Sequence, residues 1–87
     1  MKFQGALITE QNVTFGIVIV KAYVLSSRAE ADRLIASFQA EIFGGHPVVL
    51  MPQDQWGTPR YYGRQDIVKF LASVPLASVP WKEYTLG

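Results

Sequence analysis

The sequence predicts an α+β fold: a mixed four-stranded sheet connected β-β-α-β-β-α, with both helices on one face as a two-layer α/β sandwich. Three observations predict it. Val13 to Val20 reads Val-Thr-Phe-Gly-Ile-Val-Ile-Val, a β-branched run that is apolar at odd and even positions alike. Ala31, Leu34, Ile35, Phe38 and Ile42 then recur at helical spacing. A second run apolar on both faces, Val48-Val49-Leu50-Met51, follows that helix. One helix between two strands returns the chain to its starting end, so these two strands run parallel, through a right-handed crossover.

Each element has a local reason. Phe3 to Thr9 is a strand of mixed polarity, and Glu10-Gln11-Asn12 is a turn that makes it a hairpin with Val13 to Val20. Extended character continues to Leu25, but twelve strand residues would span about 40 Å. The radius of gyration expected for this length is only ~12 Å, so a break near Lys21 to Tyr23 is required. Ser26-Ser27 opens the first helix. Ser27 and Glu30 have the spacing of a capping box, and Gly44, with Gly45 behind it, is its left-handed stop. His46-Pro47 leads into the third strand, and Pro52 ends it because proline cannot donate to a central ladder. Arg60-Tyr61-Tyr62 is a short fourth strand. The second helix runs from Arg64 to Val74, with Ile67, Phe70, Leu71 and Val74 as its buried stripe and Pro75 as its stop. Leu71 to Pro75 is repeated as Leu76 to Pro80, too short a unit to stack.

Strands two and three, apolar on both sides, belong in the centre. Strand one carries Lys2, Gln4 and Glu10, and strand four carries Arg60 and Arg64, so both suit edges. The expected order is 1-2-3-4, with 2-1-3-4 as the alternative. The second half of the chain, from His46-Pro47 through Val48 to Met51, Gly57, Tyr61-Tyr62 and the helix Gln65 to Leu71, also resembles the proline-strand-hairpin-helix half of a thioredoxin. That resemblance implies a truncated thioredoxin-like arrangement as a further alternative. It departs from the family at Leu25-Ser26-Ser27-Arg28, where paired cysteines would stand, and at Gly44-Gly45, where a strand and a helix would precede the proline strand.

Length and composition bound the rest. Eighty-seven residues and 9.7 kDa make one domain, 1–87, with 76–87 a tail packed on the core. A hydrophobic content of 49% is enough to fold. Charged residues at 17% fall below the roughly 25% of an average domain, so another chain is expected to cover some apolar surface. A net charge of +1 argues against nucleic acid as a phosphate-driven partner. Without cysteine there is no disulfide, thiol chemistry or Cys-ligated metal. No cofactor, metal or membrane span is expected, and the default setting is cytoplasmic. Gln4, Thr9 and Glu10 interrupt any apolar leader after Met1-Lys2.

Few residues point to chemistry. His46 is the only histidine, with no triad or second ligand beside it in sequence, and reads as a loop residue. Glu30 and Asp32 are two apart on a helix and do not share a face; they read, like Asp54 and Asp66, as solvated charge. Ser26, Ser27 and Arg28 at a helix start are candidate anion-binding residues. The densest segment is Gln53 to Arg64, where one Trp, two Tyr and two Arg fall within nine residues. Trp56, Arg60, Tyr61, Tyr62 and Arg64 are therefore the candidate partner-binding residues. The expected function is a non-catalytic binding or assembly module acting as a homodimer, with a protein or peptide as a further candidate partner. The alternatives are a single-strand nucleic-acid binder through Trp56 to Arg64, or a small enzyme with its anion site at Ser27 and Arg28. The dimer follows from the expected layers: with both helices on one face, about 400 Å² of apolar sheet projects on the other. The tail, with Trp81 on the sheet, is the competing cover.

Overall fold

In the computed structural model the described residues are 2–10, 12–53 and 60–85, without the Leu76 side chain. Strand β1 (Lys2–Glu10) and β2 (Val13–Val20) form the expected antiparallel hairpin, with Gly5 opposite Val18 and Glu10 opposite Val13. Asn12 in the turn has a φ of 66°, a conformation Asn tolerates better than most residues. A 3-10 turn, Ala22–Ser26, supplies the break after β2. Helix α1 (Arg28–Glu41) follows, then β3 (Val48–Pro52), parallel to β2 with Gly16 opposite Val48 and Val18 opposite Leu50. Helix α2 spans Gln65–Leu71, and β4 spans Lys82–Thr85. The radius of gyration is 12.0 Å.

The strand order is β3-β2-β1-β4, which overturns both 1-2-3-4 and 2-1-3-4. The expected fourth strand, Arg60-Tyr61-Tyr62, is reduced to one antiparallel bridge. Tyr62 exchanges two 2.8 Å backbone hydrogen bonds with Leu50. Gly63 then turns the chain away at a φ of +155°, so close to β3 that an added Cβ would lie 3.2 Å from the Val48 carbonyl. The hairpin on which the thioredoxin-like alternative rests is this single bridge. The strand that completes the sheet comes from the tail, and β4 pairs antiparallel with Lys2 to Gly5 at the opposite edge. Strand β1 therefore has a neighbour on each side rather than lying at an edge, pairing with β4 over Lys2 to Gly5 and with β2 from Gly5 onward. Its Lys2 reaches Glu83 of β4 at 3.9 Å, an exposed contact of little energetic weight.

The helices lie on opposite faces, so the two-layer expectation is also overturned. Side chains alternate along each strand, and the two halves of the core separate accordingly. Val18, Val48 and Leu50 pack with Ala31 and Phe38 of α1. Phe15, Ile17, Val49 and Met51 pack with Ile67 and Leu71 of α2. The tail joins this second side, with Val79 in the cluster and Trp81 packed against it. Ile17, Val18, Val49 and Leu50 are fully buried. The physical reason is the two-sided apolarity of β2 and β3, which one helix per face covers without a second chain. The helix-free face from which a homodimer was expected does not exist among the described residues.

On the α1 side, glycines let aromatic rings reach the sheet. The Phe43 ring sits over Gly16, where a Cβ would come within 2.9 Å of it. Tyr84 of β4 stacks on Phe3 at 5.4 Å, and Phe3 meets Phe38 at 4.8 Å. These contacts hold β4 to the body of the protein although Tyr84 is its one partly buried residue; the other three are exposed.

Candidate functional site

Ser27 is the N-cap of α1, and its hydroxyl accepts a hydrogen bond from the Glu30 amide at 3.3 Å. The reciprocal half of the capping box is replaced: Glu30 instead accepts from Arg33 at 2.9 Å. Ser26 donates to the Tyr23 carbonyl at 2.7 Å and closes the 3-10 turn. Both serines thus serve the local backbone, which leaves Arg28 as the candidate anion-binding residue that faces elsewhere.

Arg28 begins a stripe. Asp32, Ile35 and Gln39 follow at spacings of four, three and four residues, so they share one face of α1. That face forms one wall of an open groove of about 630 Å³. The opposite wall is the segment Tyr61 to Gln65, and Pro47 and Val48 lie between the walls. The Leu50–Tyr62 bridge sets this geometry, because it pins Tyr62 along the outer edge of β3 on the α1 side. The Tyr62 hydroxyl donates to Asp32 at 2.7 Å and ties the two walls together. Arg64 donates twice to Asp66, at 2.8 Å each, a bidentate pairing. That hydrogen bonding holds the Asp66 carboxyl below its ordinary value.

The groove brings together residues from both sequence candidates: Arg28 from the first, and Tyr61, Tyr62 and Arg64 from the second. Arg60 is exposed and does not line it. Trp56 lies outside the described residues. Tyr61 belongs partly to the other side of the sheet, packing against the α2 cluster with its hydroxyl buried and without a hydrogen-bond partner among the described residues. His46 is exposed and is not among the lining residues. The residue that sequence reasoning missed is Asp32, read as solvated charge. Its signal was present, since it stands one turn after Arg28 on a stripe that continues through Ile35 and Gln39.

The groove has a pH signature. The hydrogen bond to Asp32 raises the Tyr62 hydroxyl above the ordinary tyrosine value of 10.0, and burial raises Tyr61 in the same direction. Both groups hold their protons more tightly folded than unfolded. Their contribution to stability is whole below that ordinary value and is lost as pH rises through the raised ones. In an alkaline titration followed by phenolate absorbance, Tyr62→Phe is expected to remove a step lying above the ordinary value. Loss of a step at the ordinary value instead would place Tyr62 away from Asp32.

Among the described residues no helix is long and apolar enough to cross a membrane. No family model, curated protein or solved structure matches the chain.

Proposed function

We propose that the protein is a small non-catalytic binding module whose partner docks in the groove between α1 and the Tyr61–Arg64 segment. One observation carries the proposal. Two stretches far apart in sequence, each singled out by its chemistry, converge on one concave surface, with a hydrogen bond between Tyr62 and Asp32, 30 residues apart, joining its walls. The groove's size is that of a ligand site, a few hundred to a thousand Å³. Its mixture of aromatic, guanidinium and amide groups over an apolar floor suits recognition. A cytoplasmic setting is part of the same proposal, and a cysteine-free chain is at home in a reducing compartment.

The homodimer is kept here in altered form. With both sheet faces covered, a second copy would pair along the outer rim of β4, which has one neighbouring strand in the sheet. Four strand residues make a short contact, and Lys82 and Glu83 stand on it, so the association would be weak and concentration-dependent.

A displayed random-peptide library tests the main proposal. Panning is expected to return peptides that bind the protein and lose binding to a Tyr62→Ala, Gln39→Ala variant that still folds. Binders retained by that variant would contradict it. So would a single-stranded oligonucleotide binding more tightly than any peptide, with the steep salt dependence of phosphate contacts. Sedimentation of the same samples reads the dimer separately: a 9.7 kDa species at every concentration removes it and leaves the groove untouched.

A further inference from the structure

We propose that the groove takes an acidic peptide segment, with one side-chain carboxylate seated on Arg28 and a neighbouring apolar side chain on the floor of Ile35, Pro47 and Val48. The inference rests on the binding-module reading and names its partner class. Two arginines and one aspartate line the groove, and with Arg64 neutralised by Asp66 the attraction for an anion is local to Arg28 rather than a property of the groove's net charge. Two of these three charges are already engaged: Arg64 by Asp66, and Asp32 by the Tyr62 hydroxyl. Arg28 is exposed and has no ion pair or hydrogen bond among the described residues.

An uncommitted guanidinium presents a planar fork that matches a carboxylate with two parallel hydrogen bonds. Arg28 is also the first residue of α1, where the helix dipole adds to the attraction for negative charge. The floor decides between a bare anion and a peptide. A small anion needs donors only, whereas about 630 Å³ with Ile35, Pro47 and Val48 beneath it offers apolar contact as well. Asp32 on the same wall disfavours a ligand carrying dense negative charge, such as a polyphosphate. It tolerates single carboxylates spaced by apolar residues.

The experiment titrates the full chain with a capped peptide alternating leucine and glutamate, with its glutamine isostere, and with inorganic phosphate. Amide and arginine Nε–H resonances are followed by NMR. The acidic peptide is expected to shift Arg28, Tyr62 and their neighbours and to bind at least roughly tenfold more tightly than the isostere, the gain of one charge-assisted hydrogen bond. Arg28→Gln is expected to abolish that difference and Arg28→Lys to retain part of it, with unchanged circular dichroism for both. Equal binding of the isostere, or indifference to Arg28→Gln, overturns the acidic assignment. Phosphate matching the peptide in affinity overturns the peptide assignment and leaves a simple anion site. If the acidic peptide shows no advantage while the isostere or a library peptide still maps to the groove, this inference alone falls, while no peptide mapping there sinks the binding reading too.

Discussion

Aspartate at Ile17 and aspartate at Val18 are each expected to unfold the protein. The two residues are adjacent on β2 and point to opposite faces, and both are fully buried. Ile17 lies under α2 and Val18 under α1. An unpaired carboxylate in either place costs several kcal/mol, against a total stability of about 5–15 kcal/mol for a domain. A two-layer protein would behave differently, because one of the substitutions would fall on an open face and leave the monomer folded. Circular dichroism and thermal unfolding distinguish the cases. Loss of the folded signal in both variants is the expected result, and survival of either with a near-native melting temperature contradicts the covering of that face.

Gly5→Ala is expected to be the most damaging of the conservative glycine substitutions. A Cβ there would stand 2.6 Å from the Ile17 carbonyl oxygen, with Phe3 and Tyr84 side chains closing the remaining space at 3.6 and 3.5 Å. Backbone on the central hairpin cannot step aside without disturbing β1's pairing to both neighbours. Overpacking of this kind costs about 1–3 kcal/mol, which lowers the melting temperature of a domain this size by roughly 5–20 °C. Gly45→Ala is the control. Its φ of +90° is unfavourable for alanine but nothing lies within 4 Å, so only a conformational cost of about 1–2 kcal/mol is expected. A smaller loss at Gly5 than at Gly45 would mean that Gly5 does not lie close against the Ile17 carbonyl of β2.

The elements that organise the middle of the chain were legible in the sequence. Strand β2, α1 and β3 carry strong periodic signals, and Ser27, Gly44 and Pro52 mark their ends. Strand β4 was not legible. Lys82-Glu83-Tyr84-Thr85 buries only part of Tyr84, so it shows neither alternation nor an apolar run. Edge strands are written in charge because charge keeps them from pairing further, and the same charge hides them in a sequence. Arg60-Tyr61-Tyr62 has the better strand composition and contributes one bridge. The two-sided apolarity of β2 and β3 was visible, but it admits two covers, a second copy or the chain's own second helix. Residue periodicity alone cannot choose, since the face on which α2 lands depends on how the segment after β3 turns at Gly63. The candidate site divides in the same way. The arginine at a helix start and the Tyr-Arg cluster were each visible as local composition. Their meeting depends on the Leu50–Tyr62 bridge and on the 30-residue separation of Asp32 from Tyr62, which no local pattern encodes.

Amide shift mapping with a peptide recovered from the displayed library reads the groove residue by residue. The expected shifts are confined to the Arg28, Asp32, Ile35 and Gln39 stripe and to Tyr62 through Gln65, with β4 and the β1–β2 turn unmoved. Shifts centred on β4 or on that turn, with the groove residues silent, would contradict docking in the groove.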